Sequence, residues 1–224
     1  MKIKAIITGA TGMVGEGVLL ACLRNPDVEA VLLLNRKASG YTHPKLKEVL
    51  HADFEHLKTI EAQLRGYNAC FYCAGISSLG VSKEEYERIT YDTTLAVAHT
   101  LLRLNPELTF CYVTGAGTDS TEQGRSHWAR TKGRTENELL RLPFPAAYMF
   151  RPGFMRATPG QRNVLSMYKY IGWLYPMARQ VASNYVSTMQ EVGLAMIKAV
   201  QNGYPTPVLE VRDIVALAHG KVAA

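Results

Sequence analysis

The stretch SHWARTKGRTENE (126–138) places Trp128 and Lys132 four residues apart. On a helix those positions stand one above the other, so an indole and an ammonium share one surface. The lysine can hold a hydroxylated or anionic ligand. The indole N–H donates a hydrogen bond but does not ionise usefully, so Trp128 can line or orient a substrate and cannot act as a general acid–base. His127 is adjacent to Trp128 and points off that face, which suits a surface or capping role. Thr114 closes the apolar stretch LTFCYVT (108–114), where its hydroxyl either polarises a substrate or serves the strand end.

A second constellation lies near the N-terminus, where TGATGMVG spaces Gly9, Gly12 and Gly15. Each glycine has a mechanical task. Gly9 turns sharply off a strand, Gly12 lets the backbone approach a pyrophosphate, and Gly15 lets the following helix lie close to a sheet. Thr11, Met13 and Val14 complete the loop and first helical turn, whose unpaired N–H groups face the phosphates. A mere tight turn needs only one glycine, so the triplet points to a dinucleotide.

Further along, LLLNRK ends a second strand on Asn35, Arg36 and Lys37, where a carboxylate would hold a ribose 2′-hydroxyl. An arginine fork pairs instead with a 2′-phosphate, and Glu29 lies at the wrong end of the strand to oppose it. NADP is therefore expected in preference to NAD, with NAD still possible. Asp53 either accepts from the adenine amino group or caps a surface helix from about Glu55. Cys73, Ala74 and Gly75 supply small residues where a ribose must pass close to the backbone. The spacing CFYC (70–73) is that of metal and redox sites. Within a strand, however, residues three apart face opposite ways, so these thiols cannot share a metal and no metal is expected.

The elements that position these residues alternate along the chain. Strands are expected at 3–8, 30–35, 47–53, 69–74, 108–114 and 146–151, and helices at 13–24, 82–104 and from 126. A polar helix should run to about Arg65, and Ser82 with Glu85 reads as a capping box. The central strands are continuous apolar runs, as parallel strands covered on both faces require. The expected fold is a single α/β domain over 1–224, a doubly wound parallel sheet of the Rossmann type with helices on both faces. Residues 154–224 form its C-terminal substrate portion, a small helical lid. The apolar segment 164–182 is interrupted by Lys169, Pro176 and Arg179, too broken to span a bilayer. It reads as a cover over a pocket or an oligomer contact, and a homodimer is possible. Tyr168, Tyr170 and Tyr175 within it are either core residues or phenols that close on the site.

The chain has 224 residues, 47% hydrophobic and 20% charged, with a formal net charge of +6. The surplus favours anionic ligands. Its lysines and arginines are scattered, without the basic stripe and interleaved aromatics of a nucleic-acid groove, so neither nucleic acid nor membrane is an expected partner. The N-terminus runs straight into KIKAIITGATG, and the thiols read as buried and reduced. A cytoplasmic protein acting on a small molecule is the expectation.

TGATGMVG, the CAG after strand four and WARTK after strand five together resemble the short-chain dehydrogenase/reductase superfamily over nearly the whole chain. The resemblance is to its small atypical, epimerase-like or NmrA-like members. It implies that Lys132 binds the nicotinamide ribose and that FRPGF (150–154) brings the backbone at Pro152 and Gly153 near the nicotinamide. The superfamily's proton relay is a Tyr-x-x-x-Lys pair with a serine near the end of strand five. Here Trp128 occupies the tyrosine position and Thr114 stands at the strand end. Either hydride transfer to a small carbonyl or sugar-like substrate proceeds without the usual tyrosine, or the protein is a catalytically silent redox sensor or scaffold.

Overall fold

The computed structural model describes residues 1–164, 175 and 183–221. Among them the order is β1 (Ile3–Thr8), α1 (Met13–Arg24), β2 (Val28–Asn35), β3 (Leu46–Leu50), a 3₁₀ segment (Lys58–Leu64) and β4 (Ala69–Tyr72). Then come α2 (Lys83–Glu87), a π-helical turn (Arg88–Asp92), α3 (Thr93–Leu104), β5 (Thr109–Val113), α4 (His127–Arg141) and β6 (Ala146–Phe150). The chain closes with β7 (Phe154–Arg156), β8 (Val186–Thr188), α5 (Met189–Asn202), β9 (Val208–Leu209) and α6 (Val211–Ala218).

The sheet order is β3-β2-β1-β4-β5-β6-β9, and every pairing is parallel. The direction of winding reverses between β1 and β4, which opens a crevice above their carboxyl ends. Two cores cover the sheet because side chains alternate across it. Ile3, Ala5 and Ile7 face α1, α5 and α6. Ile6, Leu32 and Cys70 face α3 and Leu139 of α4. Fully buried on both sides, the strands read as unbroken apolar runs.

The polar helix expected before Arg65 is a 3₁₀ segment instead, ended by Gly66 at φ +84°. Only Ile60 and Leu64 are buried there, too few to stabilise a longer helix. The long helix expected from residue 82 starts where the Ser82 hydroxyl accepts from the Glu85 N–H, and it is broken by the π turn at 88–92. Beyond β6 the described chain adds to the core and to the sheet. α5 lies against α1 so closely that a Cβ on Gly193 would meet Ala21 Cβ at 2.4 Å, and β9 adds a seventh strand. Most of the apolar segment 164–182, with Tyr168, Tyr170 and Trp173, lies outside the described residues. Tyr175 is buried with the Arg156 guanidinium 5.4 Å from its ring centroid.

Candidate dinucleotide site

The glycine loop does what its spacing requires. Gly9 takes φ +70°, and a Cβ there would meet the backbone of Ala74 at 2.7 Å. Gly15 packs α1 on the loop so tightly that its Cβ would lie 2.2 Å from Gly9 O. Gly12 differs: only Gly9 O, at 3.4 Å, would touch a Cβ, so its open side faces the cleft. The loop is braced internally. Gly12 N donates to Gly9 O at 2.9 Å and Ala10 N to Asn35 Oδ1 at 3.2 Å. The Thr8 hydroxyl accepts from Cys73 N and Ala74 N, fixing the β4 exit against the β1 exit. Among the described residues, the N–H groups of Thr11, Met13, Val14 and Gly15 have no acceptor. They crown α1 at its positive end, which is an anion site.

Gly9, Thr11, Gly12, Arg36, Lys37, Cys73, Ala74 and Gly75 line one cavity of about 540 Å³. An adjoining cavity of about 340 Å³ shares Arg36, Phe54, Ala74 and Gly75 with it and continues past Asp53 to Arg88. The two make one elongated cleft across the switch point. Asp53 serves the turn, accepting from Glu55 N at 3.0 Å and His56 Nδ1 at 2.8 Å, and the His56 contact holds its carboxyl below the usual range. It also lines the cleft, but the helix expected from about Glu55 is a turn followed by the 3₁₀ segment from Lys58, so Asp53 caps no helix. One carboxylate escaped the reading along β2. The parallel register brings Glu48 of β3 beside β2, where it accepts from Asn35 Nδ2 at 3.0 Å and Ser39 N at 2.9 Å. Arg36 and Lys37 are exposed with no ion-pair partner among the described residues.

Lys132, Thr114, Trp128, Pro152 and Gly153 gather instead around the ends of β5 and β6. Lys132 Nζ donates to Thr114 O at 2.5 Å. Burial of the ammonium lowers its pKa to about 8, while the Glu136 carboxylate one turn on opposes the shift. The Thr114 hydroxyl has two acceptors within the protein, Glu136 Oε1 at 2.6 Å and Phe150 O at 3.2 Å, so its one proton is directed inward. Ala116 N donates to Pro152 O at 2.9 Å, and Gly153 passes so near Tyr185 O that a Cβ would lie 2.3 Å from it. The Trp128 ring lies beside Gly117, 3.6 Å from where a Cβ would stand. His127 faces away, edge-on to Tyr86 with centroids 6.1 Å apart. Cys70 and Cys73 lie on opposite faces of the sheet, and burial pushes the Cys73 thiol up to about 12.

Sequence reasoning missed the groups beneath this cluster. Glu136 is fully buried and paired with Arg151, which also reaches Glu210 at 3.1 Å and Ser120 Oγ at 2.5 Å. Breaking such a buried pair costs roughly 3–5 kcal/mol. The signal was available in part: Glu136 is four residues from Lys132 on the same helical face. It also missed Glu16, fully buried in α1, which accepts from Tyr41 OH at 2.5 Å, Arg162 N at 2.7 Å and Asn163 N at 2.6 Å. Burial first, and Glu16 second, push the Tyr41 phenol up to about 12.

With this geometry in hand, likeness to known proteins becomes informative. The sequence profile described as the NAD dependent epimerase/dehydratase family matches residues 5–131. The chain is 27% identical over 158 residues to the protein named FMP52-2, mitochondrial, of Scheffersomyces stipitis, covering 69% of this chain and 67% of that one. It is 28% identical over 142 residues to leucinostatins biosynthesis cluster protein T of Purpureocillium lilacinum, covering 61% and 51%. The matched regions thus span about half to two thirds of those relatives. Among solved structures, ADP-L-glycero-D-manno-heptose-6-epimerase of Helicobacter pylori superposes with a TM-score of 0.67 at 15% identity, covering 99% of this chain and 83% of that one. The Bordetella bronchiseptica enzyme WbmF in complex with NAD+ gives 0.66 at 13%, covering 98% and 78%. At these identities the structural likeness shows the fold. One expectation is corrected: a cytoplasmic location does not stand beside FMP52 relatives that are named mitochondrial. No helix among the described residues is long and apolar enough to cross a membrane.

Proposed function

Because the chain belongs to the NAD dependent epimerase/dehydratase family, we propose that it binds NADP and passes hydride between the nicotinamide and a small carbonyl or sugar-like substrate. The observation that carries this reading is the set of free N–H groups at Thr11, Met13, Val14 and Gly15 beside the open face of Gly12. Their chemistry fits a pyrophosphate. Arg36 and Lys37 take the 2′-phosphate, with Glu48 held back by Asn35 and Ser39. Lys132 holds the nicotinamide ribose, and Trp128 walls the substrate side. When bound, the dinucleotide supplies or accepts the hydride, while the chain supplies position and polarisation.

The proton has no phenol to travel through on α4. A second reading, a redox sensor or scaffold that binds NADP without turnover, is favoured by Trp128 in the tyrosine position together with the inward commitment of the Thr114 hydroxyl. Titration with NADPH and NADH by calorimetry tests the shared part. NADPH should bind at least about tenfold tighter, the worth of one charged hydrogen bond, and silence with both coenzymes sinks both readings. NADPH oxidation with a panel of aldehydes and ketones then separates them. Trp128→Tyr should raise the rate if the missing acid alone limits it. A variant that binds NADPH but stays inert favours the sensor.

A further inference from the structure

At the end of the sheet opposite the dinucleotide cleft, two proline-bearing loops meet. LPFP (142–145) leads into β6 and YPTP (204–207) leads into β9. Leu142, Phe144 and Pro145 line a groove of about 400 Å³ together with Tyr204, Pro205 and Pro207. A proline has no N–H to satisfy, so these loops present an apolar wall. The Phe144 ring is fixed by stacking on Phe110, with centroids 5.1 Å apart. Tyr148, Tyr204 and Pro205 continue from this groove into a cavity of about 470 Å³ at the carboxyl ends of α5 and α6.

The cavity is polar where the groove is not, being lined also by Lys198, Asn202 and Lys221. Lys198 Nζ donates to Ala218 O at 2.8 Å, which uses one of its three donors. Among the described residues neither lysine has a carboxylate partner, and Lys221 Nζ has no acceptor. Tyr148 is only 7% exposed; its oxygen accepts from Tyr204 N at 3.0 Å, while its own proton meets no acceptor among the described residues. Two ammonium groups face two helix carboxyl ends, each equivalent to about half a negative charge, so about one positive charge is left over. Asp213 does not line the cavity: its oxygens take the Tyr204 hydroxyl at 3.0 Å and Glu210 N at 3.1 Å, at the amino end of α6.

We infer that this amphipathic site binds a monocarboxylate with a straight apolar tail, its head between Lys198, Lys221 and the Tyr148 hydroxyl and its tail along the groove between the two proline loops. A singly charged head matches the surplus charge and gives the Tyr148 proton an acceptor. An amine head would face two ammonium groups, and an alcohol would leave them unpaired. The site lies at the amino ends of β6 and β9, so it stands independently of the dinucleotide reading.

The test is calorimetric titration of the full chain with decanoate, decanol and decylamine, and with the shorter octanoate and hexanoate. Decanoate should bind, with an affinity that falls about two- to fourfold for each methylene removed. Decanol and decylamine should bind at least about tenfold more weakly. Lys198→Met and Tyr148→Phe should each weaken decanoate by about threefold to tenfold. Lys198 also holds Ala218 O, so Lys221→Met is the variant whose fold is not at stake, and it should lose about twofold to fivefold. Saturating NADPH should change decanoate affinity by less than about twofold. The inference is overturned if decanoate does not bind, if affinity is flat along the series or equal for decylamine, or if all three variants bind as the wild type does. Displacement of decanoate by NADPH would put it in the other cleft and overturn the inference as well.

Discussion

Gly12 and Gly15 sit three residues apart and do opposite work, which makes alanine a sharp probe of each. At Gly15 the added methyl would lie 2.2 Å from a backbone oxygen. The loop or α1 must shift, and we expect a loss of about 3 kcal/mol in denaturant unfolding. At Gly12 the backbone is extended and the methyl meets only Gly9 O at 3.4 Å. Gly12→Ala should fold with wild-type stability or slightly better, yet bind NADPH at least about tenfold more weakly, because the methyl stands where the pyrophosphate must approach. Equal NADPH affinity in Gly12→Ala would remove the phosphate from this loop. Lys132 allows a pH test. Its folded pKa of about 8 lies below the ordinary 10.5, so the charged form is penalised in the folded state. Below about pH 8 both states hold the proton and the penalty is constant. Between about 8 and 10.5 the unfolded chain holds a proton that the folded chain has released, so stability from this group rises with pH. The full shift is worth roughly 3 kcal/mol, and losing the bond to Thr114 O offsets part of it. Lys132→Met should thus be more stable than wild type by about 1–2 kcal/mol at pH 7. The advantage should fade as pH approaches 10 in urea melts. A constant difference across that range would mean that the ammonium is hydrated in the folded protein.

At the scale of elements, what could be read from the sequence and what could not divide on a physical line. The strands β1, β2, β4, β5 and β6 were visible because each is buried on both faces, and burial on both faces writes an unbroken apolar run. The glycine loop was visible because a tight turn, a phosphate approach and a helix contact each exclude side chains. β9 has two residues and no pattern of its own, and the π turn leaves no mark in residue type. Glu16 and Arg151 carry no local mark of burial, since nothing near them in sequence says that a distant segment will cover them, and for Glu136 the spacing to Lys132 gives a neighbour but not its burial. The same blindness hid the seam between α1 and α5, where Gly17 and Gly193 let the helices touch. A Cβ on Gly17 would meet Met189 Cβ at 2.6 Å, and one on Gly193 would meet Ala21 Cβ at 2.4 Å. Gly193→Ala should force α5 outward at a cost of about 1–3 kcal/mol. It is expected to lower the melting temperature by several degrees. The glycine loop is at the other end of α1, so NADPH affinity should change less than about threefold. A larger drop would show that the seam sets the position of the phosphate helix.

Across the whole molecule, binding and folding are linked, because the cleft is assembled from the ends of β1, β2, β4 and the turn after β3 and does not exist in the unfolded chain. A dinucleotide at about a hundred times its dissociation constant should add roughly 2.7 kcal/mol of stability. For a chain of this length that is about 5–10 °C in melting temperature. The source of the increment can be separated by salt. On the proposed reading the amide cradle at Thr11, Met13, Val14 and Gly15 would serve both coenzymes, whereas only the 2′-phosphate would engage Arg36 and Lys37, which are exposed. Exposed charge pairs lose most of their strength once the screening length falls from about 10 Å to a few ångströms. Raising salt from about 0.1 to about 1 M should therefore shrink the excess shift given by NADPH over NADH to within about 2 °C. The shift given by NADH itself should fall far less. If both shifts collapse together, the pyrophosphate is held by mobile surface cations and not by the backbone of the loop. If NADPH gives no excess at low salt, Arg36 and Lys37 do not read the 2′-phosphate, and Glu48 beside them becomes the group to which the ribose answers.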